Sequence, residues 1–164
     1  LSLYVWFNNS IVAINCFVLG IALGLGTAYI LFFNGTMLGA LLAVYHMNGH
    51  LLDFSSLIMV HGSIELPAIA IAGGAGLSLG VSVIRPGRLS RADAVRKEAL
   101  RCLKVLAGVI VMLFIAGLVE GLITPLKLPV RERIIIALVN CVVLLLLAAR
   151  GFILQQDRRS QPAG

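Results

Sequence analysis

Three ionisable side chains stand inside otherwise apolar stretches of the sequence: His61, Glu65 and Glu120. His61 and Glu65 are four residues apart, so on a helix they share one face. An imidazole and two carboxylates are the side chains that carry protons, hold cations or ligate metals, and at membrane depth each is a site hypothesis. Three chemistries fit. The groups can pair with one another and with the amides Asn8, Asn9, Asn15 or Asn140, holding helices together. They can line a wet groove that moves a proton, an ion or a small solute. They can bind a metal or perform acid–base chemistry, although one His with two carboxylates is a thin shell for zinc. His46 and His50 complete such a shell only if their loop folds over it; on their own they read as interfacial polar residues. The sequence contains no HExxH and no Walker loop, which removes the motif-based zinc-protease and nucleotidase readings. No catalytic set and no cofactor is expected.

The elements that position these groups follow from composition. Of 164 residues, 60% are apolar and 12% charged, and the mean hydropathy is +1.03; typical globular chains are roughly 45–50% apolar and about 25% charged. The first Asp, Glu, Lys or Arg is Asp53. A soluble fold of this size cannot cover its surface with so few polar groups, so the lipid bilayer is the expected surrounding. The net charge of +6 does not point to nucleic acid, because the basic residues sit in short blocks between apolar runs, where topology signals lie.

A spanning helix needs about 20 mostly apolar residues. On that measure the expected fold is all-α, a polytopic transmembrane helix bundle of about five spans forming one domain over residues 1–154. The first span covers 11–33 and contains Gly20 and Gly24, a GxxxG that permits close helix approach. Asn34-Gly35 reads as a tight turn. The second segment, 37–52, is short or re-entrant. The third, 57–84, holds Pro67, which is expected to break it; beyond it Ala68, Ala72, Gly76 and Gly80 fall four apart, a small-residue packing face. Residues 85–104 carry seven basic residues and two acidic ones. They read as a cytoplasmic amphipathic connection lying on the leaflet, or as a plain solvated connecting helix, capped by Ser90 with Asp93 and carrying an Asp93–Lys97 pair. The fourth span covers 105–124, with Gly117 and Gly121 four apart, and the fifth 134–154. Residues 155–164 read as a disordered polar tail.

The basic blocks place 85–104 and the C-terminal tail in the cytoplasm. Trp6, Tyr4 and Tyr45 fit an interfacial aromatic belt. Cys16, Cys102 and Cys141 have no pairing or ligand spacing, and Cys16 and Cys141 read as small residues at lipid depth. The chain opens without Met or a basic leader, and the odd span count leads to the expectation of a further span upstream. GxxxG faces serve within one chain or between copies, so a homo-oligomer is compatible.

Several stretches resemble the stage II sporulation protein M family of integral membrane proteins. They are Phe7-Asn8-Asn9-Ser10-Ile11-Val12-Ala13, Phe17-Val18-Leu19-Gly20, Leu31-Phe32-Phe33-Asn34-Gly35-Thr36-Met37-Leu38-Gly39, His61-Gly62-Ser63-Ile64-Glu65-Leu66-Pro67-Ala68-Ile69 and Gly73-Gly74-Ala75-Gly76-Leu77. Val119-Glu120-Gly121 is similar to the family's later acidic position, and the likeness covers most of residues 7–124. Val60 departs from the pattern, which has Pro before the His-Gly pair. The resemblance implies a polytopic helical protein whose namesake acts in engulfment with partners that degrade peptidoglycan, as their membrane scaffold. Membrane or envelope protein partners are therefore expected. It supplies no catalytic residues.

Overall fold

In hydrocarbon every backbone N–H and C=O must be satisfied within the protein, so apolar runs become helices. The computed structural model describes residues 2–160, and these are all-α: α1 Ser2–Val18, α2 Leu25–Met47, α3 Leu51–Ile84, α4 Arg91–Ile123 and α5 Val130–Ser160, with 3-10 turns at Leu19–Ile21 and Thr124–Leu126. All five α-helices are long and apolar enough to cross a bilayer. Helix α3 is the hub and packs against each of the other four, while α1 also packs against α4. Its inward face reads Val60, Ile64, Ala68, Ala72, Ala75 and Leu79, all buried, at the three- and four-residue steps of one helical stripe. Helix α4 answers with Cys102, Leu106, Val109, Leu113 and Ala116, and α1 with Ala13, Cys16 and Phe17.

Four boundaries differ from the sequence expectation. The first reversal lies at Leu23 and Gly24, both with positive φ (58° and 81°), and not at Asn34-Gly35. Glycine takes that conformation without a Cβ clash. Asn34 instead donates from Nδ2 to Ile30 O at 2.9 Å, one turn back along α2. The turn propensity of Asn-Gly yields because a turn there would leave backbone groups unpaired in lipid. Helix α2 is consequently a full 23 residues, neither short nor re-entrant.

Secondly, α3 runs unbroken through Pro67. Proline removes one backbone donor, a loss that a membrane helix tolerates where the freed backbone faces protein; this stretch of α3 packs against α5, whose Asn140 bonds close by. Thirdly, residues 91–104 are no separate amphipathic helix but the first turns of α4. Ser90 caps it, its Oγ accepting from Asp93 N at 3.2 Å. The ion pair among these residues is Arg101 with Glu98 at 3.0 Å, not Asp93 with Lys97. Lastly, α5 stays helical to Ser160, so the expected tail is corrected for residues 155–160; residues 161–164 lie outside the described part.

Helix α5 is attached differently from the rest. Among the described residues it supplies nothing to the main core cluster, and Ala137 is its one buried apolar residue. Polar clasps hold it to α3 instead. Arg133 donates from Nε to Leu128 O (2.6 Å) and from Nη1 to Asp53 Oδ1 (2.9 Å), Asp53 O (3.1 Å) and Ser56 Oγ (3.3 Å). Asn140 Nδ2 donates to Val60 O (2.9 Å) and Ser63 Oγ (3.2 Å). Arg133→Met should loosen the start of α5 while leaving α1–α4 packed. Because Asp53 is 62% exposed, the loss is expected to be only about 1 kcal/mol. Protease cleavage at 127–133 should become faster while the main thermal transition moves little; an equal loss of the whole bundle would contradict this attachment.

Candidate functional site

Three helices that pack on one another each bring an i,i+4 pair of polar side chains to the bundle. Helix α1 brings Trp6 and Ser10, α3 brings His61 and Glu65, and α4 with its terminal turn brings Glu120 and Thr124. Every one of these six has a buried side-chain atom with no hydrogen-bond partner: Trp6 Nε1, Ser10 Oγ, His61 Nδ1, Glu65 Oε1, Glu120 Oε2 and Thr124 Oγ1. Ser10 and Glu120 are each only 7% exposed. Buried polar atoms are nearly always paired, since an orphan costs about 1–3 kcal/mol. The six are spread over three mutually packed helices, and of them Glu65 and Glu120 are near enough to act on each other.

The polar neighbours acting on Glu65 are the Asn9 amide and the Glu120 carboxylate. The arrangement therefore combines N–H and O–H donors with two carboxylates, and among the described residues neither carboxylate forms a salt bridge. Trp6 meets α4 within the bundle. Its ring packs edge-on against Phe114 of α4, with centroids 5.7 Å apart, which makes it one of the α1–α4 contacts.

Not every sequence candidate gathers here. Asn8 and Asn15 lie on exposed faces of α1 and leave the polar set, because helical spacing turns them away from the face of Ser10 and Ala13. Asn140 is spent on the α5 clasp. His46 and His50 are exposed at the α2–α3 turn, where Tyr45 stacks on Phe54. Among the described residues no three His, Cys, Asp or Glu side chains gather as metal ligands, so the metalloenzyme reading finds no geometric support. Trp6, Ser10 and Thr124 were missed. Stepping one helical turn from Ser10 to Trp6, and from Glu120 to Thr124, was the signal that could have found them.

The small residues occupy three settings. Gly20 and Gly24 do not form a face of one helix; Gly20 lies before the first reversal and Gly24 within it, and each lies against α3. A Cβ on Gly20 would strike the Gly76 backbone, one on Gly76 would strike Cys16 O, and one on Gly80 would strike the Leu23–Gly24 backbone. Ala68 and Ala72 are buried on the same α3 stripe. Gly117 is buried and Gly121 half-buried on α4, Gly117 beside Trp6 and Phe114. On the other side of α3, a groove of ≈ 520 Å³ runs between α1, α2 and α3. Glu65, Asn9 and Asn34 are its polar residues, and apolar and glycine residues such as Leu31, Gly35, Ile69 and Gly74 form the rest.

Compared with known proteins, residues 1–125 match the family described as Stage II sporulation protein M. No curated protein and no solved structure matches the chain. The match ends in the turn before α5, the helix that contributes nothing to the main core cluster.

Proposed function

The chain belongs to the stage II sporulation protein M family, and from that premise we propose that this membrane protein is a scaffold that gathers partner proteins in the bilayer, cell-envelope remodelling factors among them. One observation carries the reading. Helices α2 and α5 flank α3 on separate sides and are scarcely buried within the chain, so long helical faces are free for other helices. In a bilayer such faces associate through packing and interhelical hydrogen bonds. The basic residues of 85–104 and the end of α5 are assigned to the cytoplasmic side.

Purification from native membranes in mild detergent tests this. Envelope proteins should accompany the chain in fixed proportion, and a chain that emerges alone at every detergent strength would refute it. A second reading, a channel or transporter, is favoured by the six orphan polar atoms, which resemble a wet route in their chemistry. Proton or ion flux through vesicles containing the purified chain alone would favour that reading over the first.

A further inference from the structure

We propose that the groove between α1, α2 and α3 seats one transmembrane helix of a partner protein, and that this helix carries a lysine or arginine that meets Glu65. The inference rests on the scaffold reading and gives its partner a chemistry.

Depth is the first argument. Helices α2 and α3 are joined by the short turn at residues 48–50, so distances can be counted down from it. Asn34 lies thirteen residues above the end of α2 at Met47, and Glu65 fourteen residues below the start of α3 at Leu51. At about 1.5 Å per residue, both are about 20 Å from the turn. They share one level, which agrees with their joint lining of the groove. Asn34 is also nine residues, about 14 Å, from the other end of α2 at Leu25, so both groups lie near the middle of a hydrocarbon layer about 30 Å thick, beyond the reach of lipid headgroups but open to a side chain on a spanning helix.

Charge is the second argument. The polar groups in the groove are the Glu65 carboxylate and the Asn9 and Asn34 amides. Asn34 has already spent an N–H on Ile30, leaving its carbonyl oxygen as an acceptor. No salt bridge to Glu65 occurs among the described residues. The complement of this lining is a cation with several donors. An ionisable residue at membrane depth pairs with an opposite charge or faces water, and a basic residue on a partner helix supplies such a charge.

Shape is the third. The groove walls carry Gly35 on α2 and Gly74 on α3, and a Cβ on either would meet nothing within 4 Å. Glycines that pack against the chain's own backbone are explained by the fold; these two are not. Small residues on both walls let a further helix backbone come close.

The test uses the full chain in lipid vesicles and synthetic transmembrane peptides with a Leu-Ala host sequence, one carrying Lys at its centre and one carrying Met there. Association is read by energy transfer between labelled chain and peptide. The Lys peptide should associate several-fold to about tenfold more strongly than the Met peptide. Glu65→Gln should remove that preference, and Gly35→Leu, which fills open space and leaves the chain's own packing intact, should weaken both peptides. Equal association of the two peptides with the native chain would overturn the proposal. So would a Lys preference that survives Glu65→Gln, or loss of peptide signal as labelled chains pair with one another through the groove. Failure here with partners still co-purifying removes the groove and leaves the scaffold. Failure to co-purify with the Lys preference intact removes the scaffold and leaves the groove.

Discussion

Gly76→Ala should cost the protein about 3 kcal/mol of stability, whereas Gly74→Ala, two residues away on the same helix, should cost almost nothing. The added atoms are identical, so the difference isolates what surrounds them. At Gly76 the new methyl would press on Cys16 O and on Thr27 Oγ1. These two atoms are already joined, Thr27 Oγ1 donating to Cys16 O at 2.6 Å in a fully buried position. That bond ties the end of α1 to the start of α2 across the first reversal. Moving Cys16 aside would break it and leave a carbonyl and a hydroxyl unpaired in a dry interior. The reversal is pinned on both sides, since Gly20 meets the Gly76 backbone and Gly80 meets the Gly24 backbone. The atoms nearest an added methyl at Gly20 and at Gly80 are all backbone, which cannot swing aside. At Gly74 the methyl enters open space, and alanine even favours the helix by up to about 1 kcal/mol. Thermal unfolding of both variants in one detergent measures the contrast. Comparable midpoints would mean that the glycine contacts between α3 and the first reversal are looser than described.

The same crossing shows what the sequence could and could not disclose. The all-α bundle was legible because hydrocarbon permits little else, and length with hydropathy gave five helices. The small residues of α3 were legible as a periodicity. What they pack against was not. Gly20 and Gly24 look like one helical face when read along the chain, yet the first reversal begins between them. Asn34-Gly35 is a stronger turn signal than Leu23-Gly24 in water, where exposed backbone is tolerated; inside a bilayer the helix that satisfies every backbone group prevails. Pro67 reads as a break for the same reason, and it is carried within a 34-residue helix that the hub position surrounds with neighbours. For the polar site, His61, Glu65 and Glu120 stood out because charge in an apolar run is conspicuous. Trp6, Ser10 and Thr124 did not, because tryptophan, serine and threonine are ordinary at membrane depth. Only their missing partners mark them.

Glu120→Leu should make the protein more stable, by about 1–3 kcal/mol, and should weaken whatever the polar set does. Glutamate and leucine fill similar volumes, so the exchange leaves little cavity. The native side chain is 7% exposed and carries a buried oxygen without a partner, and among the described residues it forms no salt bridge. A carboxyl held in that state costs stability whether ionised or protonated, and leucine removes the cost. Its surroundings can accept an apolar group, for Ala116 and Leu113 lie one and two turns back on the same buried face of α4. Asp93→Leu is the matching control, since Asp93 is exposed and serves the Ser90 cap, and there the exchange should lower stability. If the exchange stabilises the protein, Glu120 is retained for a use other than holding the fold together. The decisive measurement is thermal unfolding of the Glu120→Leu and Glu120→Gln variants beside their recovery of co-purifying partners. Leucine should raise the midpoint and glutamine should change it less. A clear drop with leucine would show that Glu120 is satisfied by water or a bound group that stabilises the native state, and would turn the site from a functional cost into a structural support.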